Sequence, residues 1–532
     1  KFEKPYKRDG AGLTLAALYL DEEEPNKDSL LSLVNQALIA TEIFQADSIV
    51  KECRSYHNFY LCNRLYLLNL AAIYSTGFEC PDSTQVIPEL RILLTEVYKS
   101  YLSFNESFPG TALPSSYMEM YHEAVKFVEE QPSEYSLFDH YSFIRNYINP
   151  LFLQNQKLIN QYNVVTRSLV DYSLNKKEIT IFNKNLYNAQ NPKGVFLRVT
   201  DPDALAEIER LGKLLFYDPI LSGNNLRSCA SCHKPTEYFT DTAVSTALQF
   251  NRVDRLARTT PSLINVNFNH LLMQDGKFYS LQEQTKNVIT NPVEMGSSDE
   301  EVMEKIMSCD EYKQGFKSLL KYTPQEKKIS FDHIVSAITF YYSTFSRYYS
   351  PFDEAMNGKG NITEAEKKGF NLFMSKAQCA TCHFVPQFNG VKPPYIGSEF
   401  EVLGVPADSL FKSLSNDMGR YEINPAVETA KAFRTGTVRN ANHTSFYMHN
   451  GVFRSLQQLI DFYDGGGGSG KGLNVPNQTL SSDSLKLSTE DKENLLHFIR
   501  SLDEKIVMET GPAQLPVSKN KALNNRRVGG EY

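Results

Sequence analysis

Apolar residues recur every three or four positions along much of the first 190 residues, which is the spacing that favours amphipathic helices. The runs begin near Asp28 and cover residues 49–74, 86–104, 117–129 and 135–170. Proline and glycine interrupt the runs, as such residues do between helices. The pattern predicts a helical-bundle domain over residues 1–190 that contains no chemical motif. It ends in an Asn- and Lys-rich linker at 175–193.

Two further helices share one internal pattern. The first covers residues 200–216 and begins with a cap residue followed by Pro in its first turn. The second covers residues 363–374 and begins with a capping box. Both contain Gly-x-x-x-Phe and both lead into Cys-x-x-Cys-His. A duplicated helix with a duplicated motif predicts two related domains, 191–355 and 356–532, the second with a C-terminal tail.

The duplicated motif has the spacing of a heme-attachment site. Each copy holds two thiols and an adjacent imidazole: Cys229, Cys232 and His233 in the first, and Cys379, Cys382 and His383 in the second. The two thiols can add to the vinyl groups of one heme, and the His then ligates the iron from the proximal side. A zinc site made of both Cys-x-x-Cys pairs is the alternative, but the trailing His in both copies favours heme. Because covalent heme attachment takes place outside the cytoplasm, we expect a periplasmic protein whose leader has been removed.

The remaining cysteines leave their pairing open. They are Cys53, Cys62, Cys80 and Cys309. The first two lie nine residues apart on one predicted helix, which separates them by about 13.5 Å. That exceeds the Cα distance of roughly 7 Å that a disulfide allows. A bridge from either of them to Cys80 and buried free thiols are equal alternatives.

Composition narrows the class of partner. The chain has 55 basic and 62 acidic side chains, so its net charge of -7 provides no basic stripe for nucleic acid or anionic lipid. No segment approaches the run of about 18 apolar residues that a transmembrane helix needs. The aromatic residues are unevenly distributed, with 33 Phe, 30 Tyr and no Trp.

Residues 205–510 resemble the bacterial di-heme cytochrome c peroxidase family, which includes the MauG-type enzymes. The resemblance rests on the blocks LGKLLFYDP at 211–219, RTTPSL at 258–263, DGK at 275–277, NPVEM at 291–295, TVRN at 437–440 and YMHNG at 447–451. It implies a mainly α fold with two cytochrome c-like heme domains, here preceded by the helical-bundle domain. It also implies two covalent c-type hemes and allows a homodimer. A Ca²⁺ between the heme domains is an open expectation, because the usual Asn of that site is Thr259 here.

At the first heme the resemblance implies an acid/base and an orienting amide. Glu294 matches the family's distal Glu, which moves a peroxide proton during O–O cleavage. Gln284 matches a distal Gln that helps to orient the bound oxygen species. In many members a removable His ligand precedes the Arg-x-x-Pro block, but the loop at 240–257 contains no His here. We therefore expect a five-coordinate first heme that needs no reductive activation.

At the second heme the resemblance points to a tyrosine ligand. Tyr463 lies fourteen residues beyond His449, where the peroxidases have Met and the MauG-type members have Tyr. A phenolate is a harder donor than a thioether, so it stabilises ferric and higher iron. The alternatives are that Tyr463 only packs in the core, or that Met448 or Met418 is the ligand.

The position between the hemes departs from the family. Relatives place a Trp immediately before the Asp-Gly block, and this chain has Gln274 there. An amide is not readily oxidised, so holes cannot hop through this side chain. Electrons would pass by tunnelling through the packed protein, or through a tyrosine such as Tyr279.

The motifs and the resemblance are compatible with three functions. The first is a periplasmic peroxidase that reduces hydrogen peroxide with electrons from a small donor protein such as cytochrome c. The second is a MauG-like oxidase of a protein substrate, which Tyr463 supports and Gln274 weakens. The third is a non-enzymatic di-heme electron carrier in which residues 1–190 serve as a docking module.

Overall fold

A mainly helical fold, as the periodicity predicts, is found in the computed structural model. The structure describes residues 16, 20, 26–48, 50, 54–78, 80, 82–165, 174–395, 397–508 and 510–531. Strands β1 (Phe400–Glu401) and β2 (Phe433–Arg434) pair antiparallel, with Phe400 opposite Arg434. Among the described residues, no helix combines the length and the apolar character needed to cross a bilayer.

The N-terminal region contains most of the predicted helices. They are α1 (Lys27–Phe44), α2 (Tyr56–Ala72), α3 (Val86–Ser107), α4 (Ser115–Glu130), α5 (His140–Phe143) and α6 (Asn149–Gln161), the last two joined by a π-helical turn at Ile144–Ile148. Helix α2 begins only at Tyr56, because the backbone of Ser55 before it is extended. The prediction that Cys53 and Cys62 share one continuous helix is therefore wrong, and Cys53 itself lies outside the described residues.

The other cysteines of uncertain pairing are thiols here. Cys80 is free and its sulfur approaches the carbonyl oxygen of Asp82 at 3.2 Å. Cys309 is free and fully buried. Cys62 lies on the exposed side of α2. Since Cys80 is a free thiol, the bridge to Cys80 is not formed in this structure.

The heme-motif helices repeat one packing arrangement. The helices of this part are α7 (Pro202–Tyr217), α8 (Cys229–Cys232), α9 (Leu281–Thr290), α10 (Asp299–Met307), α11 (Asp310–Leu319), α12 (Phe331–Ser343), α13 (Pro351–Met356), α14 (Glu364–Met374), α15 (Leu456–Asp464), α16 (Gly467–Gly470) and α17 (Thr489–Ser501). Helix α7 packs on α12, and α14 packs on α17. A Cβ on Gly212 would lie 2.0 Å from the carbonyl oxygen of Ala337, and one on Gly369 would lie 2.0 Å from that of Asn494. The duplicated glycine therefore lets each pair of helices cross closely.

Two apolar cores organise the molecule. One is formed by residues 196–345 together with Leu523. The other joins the N-terminal helices to most of the chain after residue 348, and includes Leu67 and Phe143 beside Phe373 and Phe498. The predicted linker is packed into this second core, where Phe182 and Leu186 are fully buried. The domain boundaries at 190 and 355 stay predictions.

The end of the chain returns to the first heme-motif region. Residues 510–531, here called the C-terminal strap, lie along α7, α8 and the end of α10. The amide of Lys519 donates to the carbonyl of Ser308 at 2.9 Å, and the amide of Gly529 donates to that of Tyr217 at 2.8 Å. The strap therefore links the last segment of the chain to the first core.

Candidate functional site

The first Cys-x-x-Cys-His motif forms one helical turn, α8. Ser228 and Ser231 cap this turn reciprocally, and the amide of His233 donates to the carbonyl of Cys229 at 2.9 Å. The Nδ1 atom of His233 lies 3.0 Å from the carbonyl oxygen of Phe239. Since a carbonyl only accepts, Nδ1 carries the proton and Nε2 is left with the lone pair that a metal needs. Burial lowers the pKa of His233, which also favours the neutral ring.

A cavity of about 880 Å³ opens beside this turn. Its wall contains all three residues of the first motif and both predicted distal residues: Cys229, Cys232, His233, Gln284 and Glu294. The volume falls within the range of about 300–1,000 Å³ that is usual for small-molecule and cofactor sites. Size, thiol placement and the free Nε2 all fit a covalently held heme.

Glu294 is held by the turn that follows α9. The side chain of Asn291 donates to Glu294 Oε1 at 2.9 Å, and the amide of Glu294 donates to the carbonyl of Asn291 at 3.0 Å. Burial raises the pKa of Glu294, while the Asn291 hydrogen bond and the charges of Arg227 and Lys277 act in the opposite direction. The net shift is upward, so this carboxyl keeps its proton to a higher pH than a free glutamate does.

Gln284 lies on α9, the helix that leads into the turn with Glu294. Its amide nitrogen is 3.7 Å from the sulfur of Met273, and both side chains line the cavity. The loop at 240–257 borders the same space through Ala247 and Gln249. His233 is the one histidine among the described residues of this wall. The expectation that the first heme lacks a second histidine ligand stays a prediction that agrees with this lining.

Arg434 is a wall residue that sequence reasoning missed. It comes from the second heme-motif region, and its Nη1 donates to the side-chain oxygen of Asn269 at 3.0 Å. Burial lowers the pKa of Arg434 to about 10. A buried guanidinium suits a carboxylate, and the propionates of a heme are carboxylates. Since Arg434 lies between two sequence blocks and has no distinctive spacing, the sequence contains no signal for it.

The second motif has a similar proximal side. The amide of His383 donates to the carbonyl of Cys379 at 2.9 Å, and its Nδ1 lies 3.0 Å from the carbonyl oxygen of Gly436. Burial lowers the pKa of His383 to about 4. As in the first motif, the proton on Nδ1 leaves Nε2 free to bind a metal.

Tyr463 lies close to the second motif. Burial raises its pKa, and the neighbouring Cys382, Cys379 and Glu401 raise it further. The side chain of Tyr463 is half-buried. Helix α15 carries Tyr463, and the glycine-rich turn after it packs closely, since a Cβ on Gly468 would lie 2.2 Å from the carbonyl oxygen of Gly404. The role of Tyr463 as a ligand, and the alternatives Met448 and Met418, stay predictions.

The contact between the two heme-motif regions is polar. Arg258 donates to Asp275 at 2.6 Å and to Asp417 at 2.7 Å, so one guanidinium joins a carboxylate from each region. Gln274 lines the cavity and donates to the hydroxyl of Thr259 at 3.0 Å. Tyr279 is 62% exposed, so it lies at the surface. No group of three or more His, Cys, Asp or Glu residues arranged for a metal ion occurs in the part of the chain that the structure describes.

Two attachment motifs with paired proximal histidines define a c-type di-heme protein, and the comparisons identify its family. Residues 206–361 match the family described as di-haem cytochrome c peroxidase. The chain is 31% identical over 309 residues to the methylamine utilization protein MauG of Methylorubrum extorquens, covering 58% of this chain and 80% of that protein. It is also 31% identical over 320 residues to the cytochrome-c peroxidase IdrP1 of Pseudomonas sp. (strain SCT), covering 56% of this chain and 81% of that protein.

A solved structure of a MauG-like protein associated with microbial copper homeostasis is also similar. It is 25% identical, with a TM-score of 0.48, and the match covers 56% of this chain and 90% of that chain. On the sequence matches, the chain belongs to the di-heme cytochrome c peroxidase family, as its motifs predict. Membership makes it an oxidoreductase that holds two c-type hemes.

Proposed function

We propose that this chain reduces hydrogen peroxide to water, using electrons from a small redox protein such as cytochrome c. One observation carries the proposal: Glu294 and Gln284 line the same cavity as the first attachment motif. A bound heme would supply the iron that transfers the electrons to peroxide. Each peroxide takes up two electrons and two protons and leaves as two waters.

The residues of the first site divide this work. Cys229 and Cys232 would attach the heme, and His233 would offer Nε2 to its iron. Glu294 takes a proton from one peroxide oxygen and returns it to the other, a task that suits a buried carboxyl whose pKa is raised by its burial. Gln284 offers an amide to orient the peroxide beside Glu294.

The second site would accept the electrons. Cys379 and Cys382 would attach its heme, and His383 and Tyr463 would ligate the iron. The closeness of the Tyr463 phenol to both thiols supports this assignment. The alternatives Met448 and Met418 are distinguishable by optical and EPR spectra of the resting protein.

The wider organisation is part of the same proposal. A helical domain at 1–190 precedes the peroxidatic domain at 191–355 and the electron-accepting domain at 356–532. We place the protein in the periplasm and allow a homodimer. A Ca²⁺ between the heme domains stays an open expectation, because Thr259 stands where the family has the usual Asn.

A second candidate function is oxidation of a protein substrate, as in MauG. The observation that favours it is the position of Tyr463, because a phenolate ligand stabilises oxidised iron. Formation of a long-lived oxidised state of both hemes after stoichiometric peroxide would support this candidate. Steady-state turnover with peroxide and reduced cytochrome c would support the peroxidase.

Replacement of Glu294 by Gln tests the peroxidase proposal. The variant keeps the size of the side chain and removes its acid/base function, so turnover should fall about 10²–10⁴-fold. The measurement is the oxidation of reduced cytochrome c by peroxide, with both hemes quantified optically. Glu283→Gln is the matched control, because this exposed carboxylate lies on the same helix as Gln284. Unchanged turnover in Glu294→Gln with both hemes present would refute the assignment.

A further inference from the structure

The C-terminal strap holds the segment that bears the first attachment motif. The hydroxyls of Ser228 and Ser231 donate to the carbonyl of Gly529 at 2.8 and 3.0 Å. The amide of Glu531 donates to the carbonyl of Leu226 at 2.7 Å. The strap therefore binds the backbone before residue 227 and two side chains after it.

A buried ion pair anchors the strap itself. Arg526 donates through Nε to Asp218 Oδ1 at 2.6 Å and through Nη2 to Asp218 Oδ2 at 3.1 Å. Both side chains are almost fully buried, and the hydroxyl of Tyr312 donates to the same carboxylate at 3.0 Å. Two parallel charge-assisted hydrogen bonds make this pairing directional. The strap is thus attached to α7 at a defined position.

Arg227 extends from this segment toward the turn at 291–296 that carries Glu294. Its side chain is buried, and its two terminal nitrogens donate to the carbonyls of Glu294 and Gln249, both at 2.9 Å. The backbone of Ser228 is extended, and in extended segments successive side chains point to opposite sides. The strap therefore lies on one side of the segment, and Arg227 reaches the cavity wall on the other.

Arg227 acts on Glu294 in two ways. Its hydrogen bond holds the backbone of the loop that carries the carboxyl. Its charge also lowers the pKa of Glu294, as do the Asn291 hydrogen bond and the charge of Lys277, against the larger effect of burial. These three groups are the polar and charged neighbours that lower the pKa of this carboxyl. Displacement of Arg227 should therefore move the loop and raise the pKa of Glu294 further.

We propose that the C-terminal strap, acting through Arg227, fixes the position of Glu294, and that Arg227 is a positioning residue for the peroxide reaction. The catalytic part of this inference rests on the proposed function. The mechanical link from the strap to the loop does not, because it depends only on the contacts described above.

Two neighbouring glycines provide a matched test of the mechanical link. Gly529 and Gly530 both have positive φ, +82° and +68°, so alanine is strained at either position. A Cβ on Gly530 would lie 2.6 Å from the carbonyl oxygen of Leu226 and 2.7 Å from the hydroxyl of Ser231. A Cβ on Gly529 would meet only Tyr217, at 4.0 Å. Gly530→Ala should lift the strap from the motif segment, and Gly529→Ala should not.

Hydrogen exchange of the heme-loaded protein measures the link directly. In Gly530→Ala, the amides of residues 222–232 and 291–296 should exchange about tenfold faster than in Gly529→Ala. Equal exchange in the two variants would overturn the inference. This readout does not depend on whether the protein turns over peroxide, so it separates failure of the link from failure of the proposed function.

Arg227→Gln tests the positioning of Glu294. The rate of the optical change on mixing with peroxide, followed against pH, should have its midpoint about one unit higher than in the wild type. Gly530→Ala should shift the midpoint in the same direction, and the double variant should shift it no further than Arg227→Gln alone. Additive shifts, or an unchanged midpoint in Arg227→Gln, would refute the role of Arg227. The control Gly529→Ala should keep the wild-type midpoint.

Discussion

The two attachment motifs have nearly the same proximal side and different surroundings. In both, the His amide donates to the first Cys carbonyl at 2.9 Å and Nδ1 faces a backbone carbonyl. The first motif then opens on a cavity with Glu294 in its wall, whereas Tyr463 lies close to the second. The two copies therefore share the geometry of the attachment motif and differ in the residues beside it.

The segments that hold each motif also differ in their physical character. The second motif follows α14, whose buried side chains share an apolar core with the N-terminal helices. The first motif is held by the C-terminal strap through hydrogen bonds and the pair of Arg526 with Asp218. Apolar burial stabilises without strong direction, whereas hydrogen bonds to one carbonyl specify a position. Directional hydrogen bonds suit the first motif, because the carboxyl of Glu294 has to be held in a defined position. Apolar packing suits the second motif, which is enclosed by the second core.

The largest expected effect concerns the polar centre of the second region. Arg439 pairs with Asp353 at 2.7 Å and lies 3.8 Å from Glu504, and all three side chains are fully buried. Arg439→Met leaves two buried carboxylates without their cation, so the free energy of unfolding of this region should fall by about 3–5 kcal/mol. Chemical denaturation of the heme-loaded protein measures it. Because the N-terminal helices share this core, they should unfold in the same transition.

Arg500→Met is the control for this prediction. Arg500 is exposed in the last turn of α17, close in sequence to Glu504, so its loss should change stability by no more than about 0.5 kcal/mol. If the N-terminal helices unfolded separately in Arg439→Met, the two regions would not behave as one cooperative unit. The N-terminal helices would then be a third unit that folds independently of both heme-motif regions.

A smaller effect, shared by both regions, is expected at the duplicated glycines. Gly212→Ala and Gly369→Ala each place a methyl group 2.0 Å from a carbonyl oxygen of the facing helix. Each should reduce the free energy of unfolding by about 1–3 kcal/mol through overpacking. Gly110→Ala is the control, because a Cβ there meets nothing within 4 Å. A loss at one glycine only would show that the two helix crossings are not equivalent.

The helices and the attachment sites could be predicted because both depend on local spacing. Amphipathic periodicity indicates α3 and α4 to within a few residues, and two thiols three positions apart need no tertiary information. The duplicated Gly-x-x-x-Phe was visible in sequence, but its reason is a contact between helices more than 120 residues apart. Gly212 meets Ala337, and Gly369 meets Asn494.

The features that escaped prediction all depend on distant parts of the chain. Arg434 enters the first cavity from the second motif's region, and the strap returns to α8 from the far end of the chain. The segment at 175–193 has the polar composition of a linker, yet Phe182 and Leu186 anchor it in the second core. The proposed helix across Cys53 and Cys62 failed because one extended residue, Ser55, starts a new helix. Asn58, and not Glu or Gln, follows three residues after Ser55, so no capping box marks the start of the new helix.

The smallest expected effect is the pH dependence that Glu294 adds to the first region. Its pKa in the folded protein lies above the ordinary value of 4.5, because burial disfavours the carboxylate. The folded state therefore binds this proton more tightly than the unfolded state does. The resulting stabilisation is complete below the ordinary pKa and is lost as the pH rises through the folded value.

Glu294→Gln removes this titration and keeps an oxygen that can accept the hydrogen bond from Asn291. Stability measured by chemical denaturation from about pH 5 to about pH 8 should therefore fall less in the variant than in the wild type, by about 1.4 kcal/mol for each unit of pKa shift. The exposed Glu283→Gln control should follow the wild-type curve. Parallel curves for the wild type and Glu294→Gln would mean that the carboxyl ionises as a free glutamate does. The raised pKa of Glu294, which distinguishes the first cavity from the surroundings of the second motif, would then be refuted.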